Sequence, residues 1–151
     1  KPRTVLALDG VTNPQNVGMI IRSAVAAGVD GLLYPKRGIA SLGPLVIKAS
    51  AGNVFRAPII RCDATVSAVA ALRAKGYEVA TLEASGETSL FEFKAVNSVV
   101  CVLGGESDGI GREVAALADN RLTIPMANGV ESLNVAVTAA LVSFHLGQTP
   151  D

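Results

Sequence analysis

Three clusters of polar residues interrupt an otherwise apolar chain. The stretch DGVTNPQNVGMIIR (9–22) carries Asn13, Asn16 and Arg22. LGGESDGIG (103–111) holds Glu106 among Gly104, Gly105, Gly109 and Gly111. IPMANGVESLNVAVTAALVSF (124–144) sets Asn128, Glu131, Ser132 and Asn134 between a strand end and a nearly all-apolar helix. Amides, a hydroxyl, a carboxylate and a guanidinium are groups that orient and hydrogen-bond a ligand. The single histidine, His145, falls near the end of the last helical stretch and reads as a C-terminal helix residue, not a general base. Cys62 and Cys101 lack CxxC or Cys/His spacing. They read as small buried residues in a reducing compartment, and no metal is expected.

Each cluster has a plain structural reading beside a chemical one. Asn16 is placed to cap the helix that follows it. Arg22 breaks the apolar run between Ile21 and Ala24. Helical side chains lean toward the N-terminus, so Arg22 should lean over Gly18 toward the Asn13–Asn16 loop. Its alternatives are a solvated edge or an ion pair with Asp9. The glycines around Glu106 suggest backbone close to a ligand, with Glu106 bonding that ligand or pairing with Arg22. This is no GxGxxG fingerprint, because Glu106 stands where the second glycine belongs, and no P-loop, because no Gly-Lys-Ser/Thr follows. Ser132 is a good N-cap for the last helix. Asn134 then falls in the first turn, where its amide can face a ligand at the positive helix end. Met19 and Met126 read as packing. Thr81 stands at a strand end, within reach of a ligand, but the sequence shows no such contact and it is set aside.

The elements that position these clusters follow from periodicity. Strands are expected at 4–9, 31–35, 57–62, 77–82, 98–104 and 121–126. Helices are expected at 16–28, 42–50, 65–76, 111–119 and 132–147, with 85–93 a loop holding at most one helical turn. Continuous apolar strands alternating with helices imply an α/β protein with a parallel sheet covered on both faces. Ligands of such sheets bind beyond the carboxyl ends of the strands, where all three clusters fall. The last helix is apolar almost all round from position 133, so a subunit interface is a reasonable second partner for it.

Composition sets the outer bounds. The chain has 151 residues, half of them hydrophobic, which suits one domain over 1–151. Formal net charge is zero and gives no support for nucleic-acid binding. Lys36, Arg37, Lys48, Arg56 and Arg61 form either a local basic face or an ordinary solvated surface. No signal peptide and no bilayer-length apolar run are present, so the expected compartment is cytoplasmic with no membrane partner. The chain begins Lys-Pro-Arg and reads as a domain of something longer, lacking an N-terminal RNA-binding extension.

Together the clusters resemble the SpoU/TrmH branch of the SPOUT methyltransferases. The first motif, N-P-x-N-x-G-x-x-x-R, is matched by Asn13, Pro14, Asn16, Gly18 and Arg22. The second, G-x-E-x-x-G, is matched by Gly104, Glu106 and Gly109. The third, I-P-M-x-x-x-x-x-S-L-N-V, is matched by Ile124, Pro125, Met126, Ser132, Leu133, Asn134 and Val135. KASAGN (48–53) also resembles a family segment. The resemblance implies a SPOUT fold with a C-terminal deep trefoil knot, a homodimer, and S-adenosyl-L-methionine bound in the knot. It implies methyl transfer to a ribose 2′-hydroxyl of RNA. Carried over by position, cofactor contacts fall on Gly104, Ile124, Met126, Ser132 and Leu133. Catalytic or substrate-orienting positions fall on Asn16, Arg22, Glu106, Ser132 and Asn134.

The short C-terminal end leans the reading toward ribosomal over transfer RNA. A transfer-RNA enzyme of the same chemistry is the rival within the class. A catalytically silent RNA-binding module and a nucleotide-binding oxidoreductase are the rivals outside it. The intact polar set argues against the first of these and the absent glycine fingerprint against the second.

Overall fold

The apolar runs become strands Thr4–Asp9 (β1), Gly31–Pro35 (β2), Ile59–Cys62 (β3), Glu78–Leu82 (β4), Thr88–Ser89 (β5), Val99–Gly104 (β6) and Asn120–Thr123 (β7) in a computed structural model describing residues 3–148. They form one sheet in the order β3-β2-β1-β6-β4-β7-β5. Every pairing is parallel. Side chains alternate between faces along a strand. Leu6 and Leu8 of β1 therefore enter one core, and Val5 and Ala7 the other. Helices Pro14–Ala27 (α1), Pro44–Ala49 (α2) and Val135–Gly147 (α5) contribute to the first core. Thr65–Ala74 (α3) and Arg112–Ala115 (α4) cover the second, through Val69 and Val114. The sheet is covered on both faces, as its continuous apolar strands required.

Several boundaries depart from the sequence reading for identifiable reasons. α1 begins at Pro14, not Asn16, because Asn13 is the N-cap: its Oδ1 accepts from Gln15 N at 2.9 Å and Asn16 N at 3.1 Å. Proline suits the first helical position, where no intrahelical amide bond is lost. Gly28 ends α1 as expected, in the left-handed region at φ 76°. α5 begins at Val135, and its N-cap is Asn134, not Ser132. α4 is a single turn instead of a helix to 119. Asp119 instead joins the sheet beside β4: its backbone N donates to Val79 O, and its carboxylate accepts from Val79 N and from Arg73. β7 stops at Thr123, three residues earlier than the apolar pattern suggests. The 85–93 segment, expected as a loop, contains β5, too short for alternation to reveal. Residues 53–56 form a 3-10 turn that the sequence reading did not anticipate.

Two features place the site. β7 lies between β4 and β5, strands already joined to each other by residues 83–87. The chain then returns across the sheet as α5, which packs on α1. Thr4 Oγ1 donates to Leu146 O at 2.9 Å, fixing the end of α5 to the start of β1. Among the described residues no helix is long and apolar enough to cross a membrane.

Candidate functional site

The carboxyl ends of β4, β6 and β7 open into a cavity of about 710 Å³. Loop residues wall it: Leu103–Glu106 and Gly109–Ile110 at the end of β6, Ile124 and Met126 after β7, and Glu131–Val135 at the start of α5. Packing dictates the glycines. A Cβ on Gly104 would stand 2.3 Å from the carbonyl carbon of Gly109, and one on Gly105 would stand 2.4 Å from Gly10 O. Only glycine lets the loop fold flat on itself there.

The three clusters meet through one side chain. Asn134 Nδ2 donates to Asn16 Oδ1 and to Glu106 Oε1, each at 3.1 Å. Asn134 Oδ1 caps α5 by accepting from Ala136 N at 2.8 Å and Val137 N at 3.4 Å. Glu106 Oε1 also accepts from Val135 N at 3.5 Å. A carboxylate at the N-terminus of α5 is favoured by the helix dipole. One amide therefore binds together residues 118 and 28 positions away in sequence while closing a helix end.

Gly104, Glu106, Ile124, Met126, Ser132, Leu133 and Asn134 all line the cavity. Ser132 makes no hydrogen bond with another described residue, so its hydroxyl is free for a ligand. The main chain of residues 124–133 makes one internal hydrogen bond, from Val130 N to Ala127 O across the Asn128–Gly129 turn. Ile124, Met126, Glu131, Ser132 and Leu133 of that loop line the cavity.

Arg22 is placed differently from expectation. It is exposed, outside the cavity lining, and makes no hydrogen bond or ion pair with any described residue. Asp9, its suggested partner, instead accepts from Gly111 N at 2.7 Å. Glu106 is engaged by Asn134. The space over Gly18 is filled by α2: a Cβ there would be 2.5 Å from Ala49 Cβ and 2.9 Å from Ser50 N. That glycine admits a helix, not a guanidinium.

Sequence reasoning missed the contribution of β4. Glu83 and Ala84 line the cavity. The fully buried Thr81 donates to Glu83 Oε1 at 2.7 Å, so it positions a lining carboxylate. Arg121 holds Glu83 from the other side at 2.7 Å. The Arg121 hydrogen bond draws the Glu83 carboxyl below its usual range against the opposing effect of burial, with help from Thr81. The rule that ligands gather at strand carboxyl ends pointed to this loop, but SGETS carries no periodicity to mark it. Met126 is a lining residue, and Met19 is 42% exposed, so neither is simple core packing.

Cys101 is buried, its thiol pushed up to about 12 by desolvation, whereas Cys62 is only half-buried, and both are free. His145 sits in the last turn of α5 with Nε2 2.9 Å from Phe93 O, away from the cavity lining. Among the described residues no group of three His, Cys, Asp or Glu side chains is arranged to hold a metal.

A parallel α/β sheet with a cavity at its carboxyl edge, lined in part by glycines, defines the class of fold. The SpoU rRNA Methylase family model matches residues 3–144, and the chain belongs to that family. A Staphylococcus aureus (strain COL) protein named for the TrmH family of tRNA/rRNA methyltransferases is 38% identical over 143 residues. That alignment covers 95% of this chain and 58% of the relative, so the chain spans well under two thirds of its relative's length. A TrmH-family protein structure from Porphyromonas gingivalis matches with TM-score 0.85 and 36% identity, covering 95% of this chain and 59% of that one. The AdoMet-bound rRNA methyltransferase of Sinorhizobium meliloti matches with TM-score 0.86 and 31% identity, covering 95% and 55%.

Proposed function

We propose that this chain is the catalytic domain of an S-adenosylmethionine-dependent methyltransferase acting on a ribose 2′-hydroxyl of RNA. The observation that carries the reading is the Asn134 junction, which brings the three motif clusters together beside a cavity that two of them line. The cofactor suits this cavity. Its volume lies in the range of cofactor pockets, about 300–1,000 Å³. The peptide groups of the lining residues Ile124, Met126 and Glu131–Leu133 suit the adenine and amino-acid ends of a nucleoside cofactor, and Gly104 lets the β6 loop fold back on Gly109 beside them. Gly104, Ile124, Met126, Ser132 and Leu133 hold it in this reading.

S-adenosylmethionine supplies a methyl group activated by its sulfonium charge. The chain's task is then to position the 2′-oxygen in line with that methyl and to ease loss of the hydroxyl proton. Asn16, Glu106 and Asn134 form a fixed hydrogen-bonded floor, and Ser132 offers a hydroxyl to the ribose or the cofactor. Arg22 carries a guanidinium, a group too weakly acidic to serve as a general base at neutral pH. It holds the neighbouring phosphate and stabilises charge developing on the 2′-oxygen, while water or a phosphate oxygen takes the proton. Its exposed, unpartnered position fits a group waiting for RNA.

Ribosomal RNA is the first substrate to test, supported by the family description and by the Sinorhizobium meliloti relative. Transfer RNA is the rival, since the Staphylococcus aureus relative's name covers both. Two further features belong to this reading. Insertion of β7 between two strands already joined supports a knotted C-terminal third. An apolar stripe on α5 supports a homodimer: Val137 is 48% and Phe144 45% exposed, with Ala140 and Leu141 half-buried between them.

The deciding experiment is calorimetric titration with S-adenosylhomocysteine. Wild type binds saturably, Gly104→Val and Leu133→Asp lose binding, and Arg22→Ala keeps it while losing methyl transfer. No binding by folded wild type sinks the enzyme reading, and equal loss of both properties in Arg22→Ala removes Arg22 from its role.

A further inference from the structure

The zero net charge conceals a strong asymmetry. Between residues 31 and 62 there are five cations, Lys36, Arg37, Lys48, Arg56 and Arg61, and no Asp or Glu. Two of the five are engaged: Lys36 pairs with Asp63 at 2.5 Å, and the Arg61 guanidinium lies over the Tyr34 ring at 5.5 Å. Lys48 and Arg56 are exposed and have no carboxylate partner. Between them stands Phe55, 79% exposed.

Phe55 is held outward by a rigid turn. Ser50, fully buried, donates to Ile47 O at 3.0 Å and accepts from Val54 N at 3.3 Å. Asn53 Nδ2 donates to Ser50 O at 3.0 Å. Ala51 has φ 50°, a left-handed conformation that a non-glycine residue adopts only when its surroundings enforce it. A strained, internally bonded turn that projects a phenylalanine into water among unpaired cations has the makings of a stacking platform. Base-on-aromatic stacking beside phosphate-binding cations is how single-stranded nucleic acid is held without sequence readout. The platform is also well placed. Its turn packs on α1, and Gly18, against Ala49 and Ser50, lies two residues from Asn16 and four from Arg22.

We propose that the 48–56 turn is the docking surface for unpaired RNA, with Phe55 stacking a base near the target nucleotide and Lys48 and Arg56 holding its phosphates. This rests on the methyltransferase reading for its role but not for its test. The probe is a fluorescein-labelled oligoadenylate of about a dozen nucleotides, read by anisotropy across a salt series.

Phe55→Ala and Phe55→Leu should weaken binding about ten-fold or more, and Phe55→Tyr should restore it. A double Lys48→Ala/Arg56→Ala variant should lower the slope of log affinity against log salt by about 1.4, roughly 0.7 per cation on a single strand. All these residues are exposed, so the variants should keep the wild-type melting temperature. Unchanged binding in Phe55→Ala or Phe55→Leu, or no binding by wild type at low salt, each overturns the proposal. So does a shift of Phe55→Ala toward monomer in sedimentation, which would make this surface a contact between copies. S-adenosylhomocysteine titration, run in parallel, reports on the catalytic reading separately.

Discussion

Asn134 shows how much one side chain can be asked to do. Its oxygen closes α5 and its nitrogen joins Asn16 to Glu106. These tasks separate in Asn134→Asp. A carboxylate caps a helix as well as an amide does. It cannot donate, and it would face the Glu106 carboxylate at the 3.1 Å the amide now spans. Melting temperature should fall by a few degrees at most, while methyl transfer should fall about a hundred-fold or more and S-adenosylhomocysteine affinity much less. A variant with near-wild-type turnover would mean that the junction is a structural cap alone. The residue types at this junction were legible in the sequence because polar residues at strand ends stand out in an apolar chain. Which asparagine capped which helix was not, since Asn13 and Asn16, or Ser132 and Asn134, are equally good caps on paper and only the turn geometry selects.

At the scale of elements, close approach governs what the chain tolerates. α2 lies on α1 at Gly18, with backbone atoms of Ser50 and Val46 2.9 Å from where a Cβ would sit. Gly18→Ala should therefore destabilise, by about 1–3 kcal/mol as overpacking does, despite alanine's better helix propensity. Denaturant unfolding reads the sign: a stabilised variant would show that α2 yields freely. The β4–β7 edge answers to pH instead. Arg121 keeps the folded Glu83 carboxyl lower than in the unfolded chain, so its contribution is present above the unfolded value, about 4.3, and is lost as pH falls through the folded one. Glu83 is half-buried but its partner Arg121 is exposed, so solvent screens the pair and the contribution is about 0.2–1 kcal/mol. Arg121→Ala should lower the melting temperature slightly at pH 7, and the difference should shrink as pH falls through the folded Glu83 value. A constant difference across that range would assign the loss to packing. Elements of five or more residues were readable from their periods. The two-residue β5 and the one-turn α4 were not, because long-range partners, β7 and Asp119 on β4, decide them.

The molecule as a whole leaves one face without a partner. α5 is buried against α1 on one side, yet Val137, Ala140, Leu141 and Phe144 recur at the spacing of a second helical stripe. An all-round apolar pattern in the sequence already implied two buried faces. A single chain buries the faces toward α1 and the sheet and leaves Val137 and Phe144 in water, which is the physical basis for expecting a second copy. In a two-fold dimer the same stripe occurs on both sides, so one substitution enters the interface twice. Val137→Glu places two carboxylates against apolar surface, and each unpaired charge removed from water costs several kcal/mol. Self-association should weaken by about a hundred-fold or more, seen as a shift from dimer to monomer in sedimentation equilibrium at micromolar concentration. Val137 is exposed in the monomer, so its replacement should leave the monomer's fold and circular dichroism intact. A wild type that sediments as a monomer, or a Val137→Glu variant that stays dimeric, would mean that the stripe meets something other than its own copy.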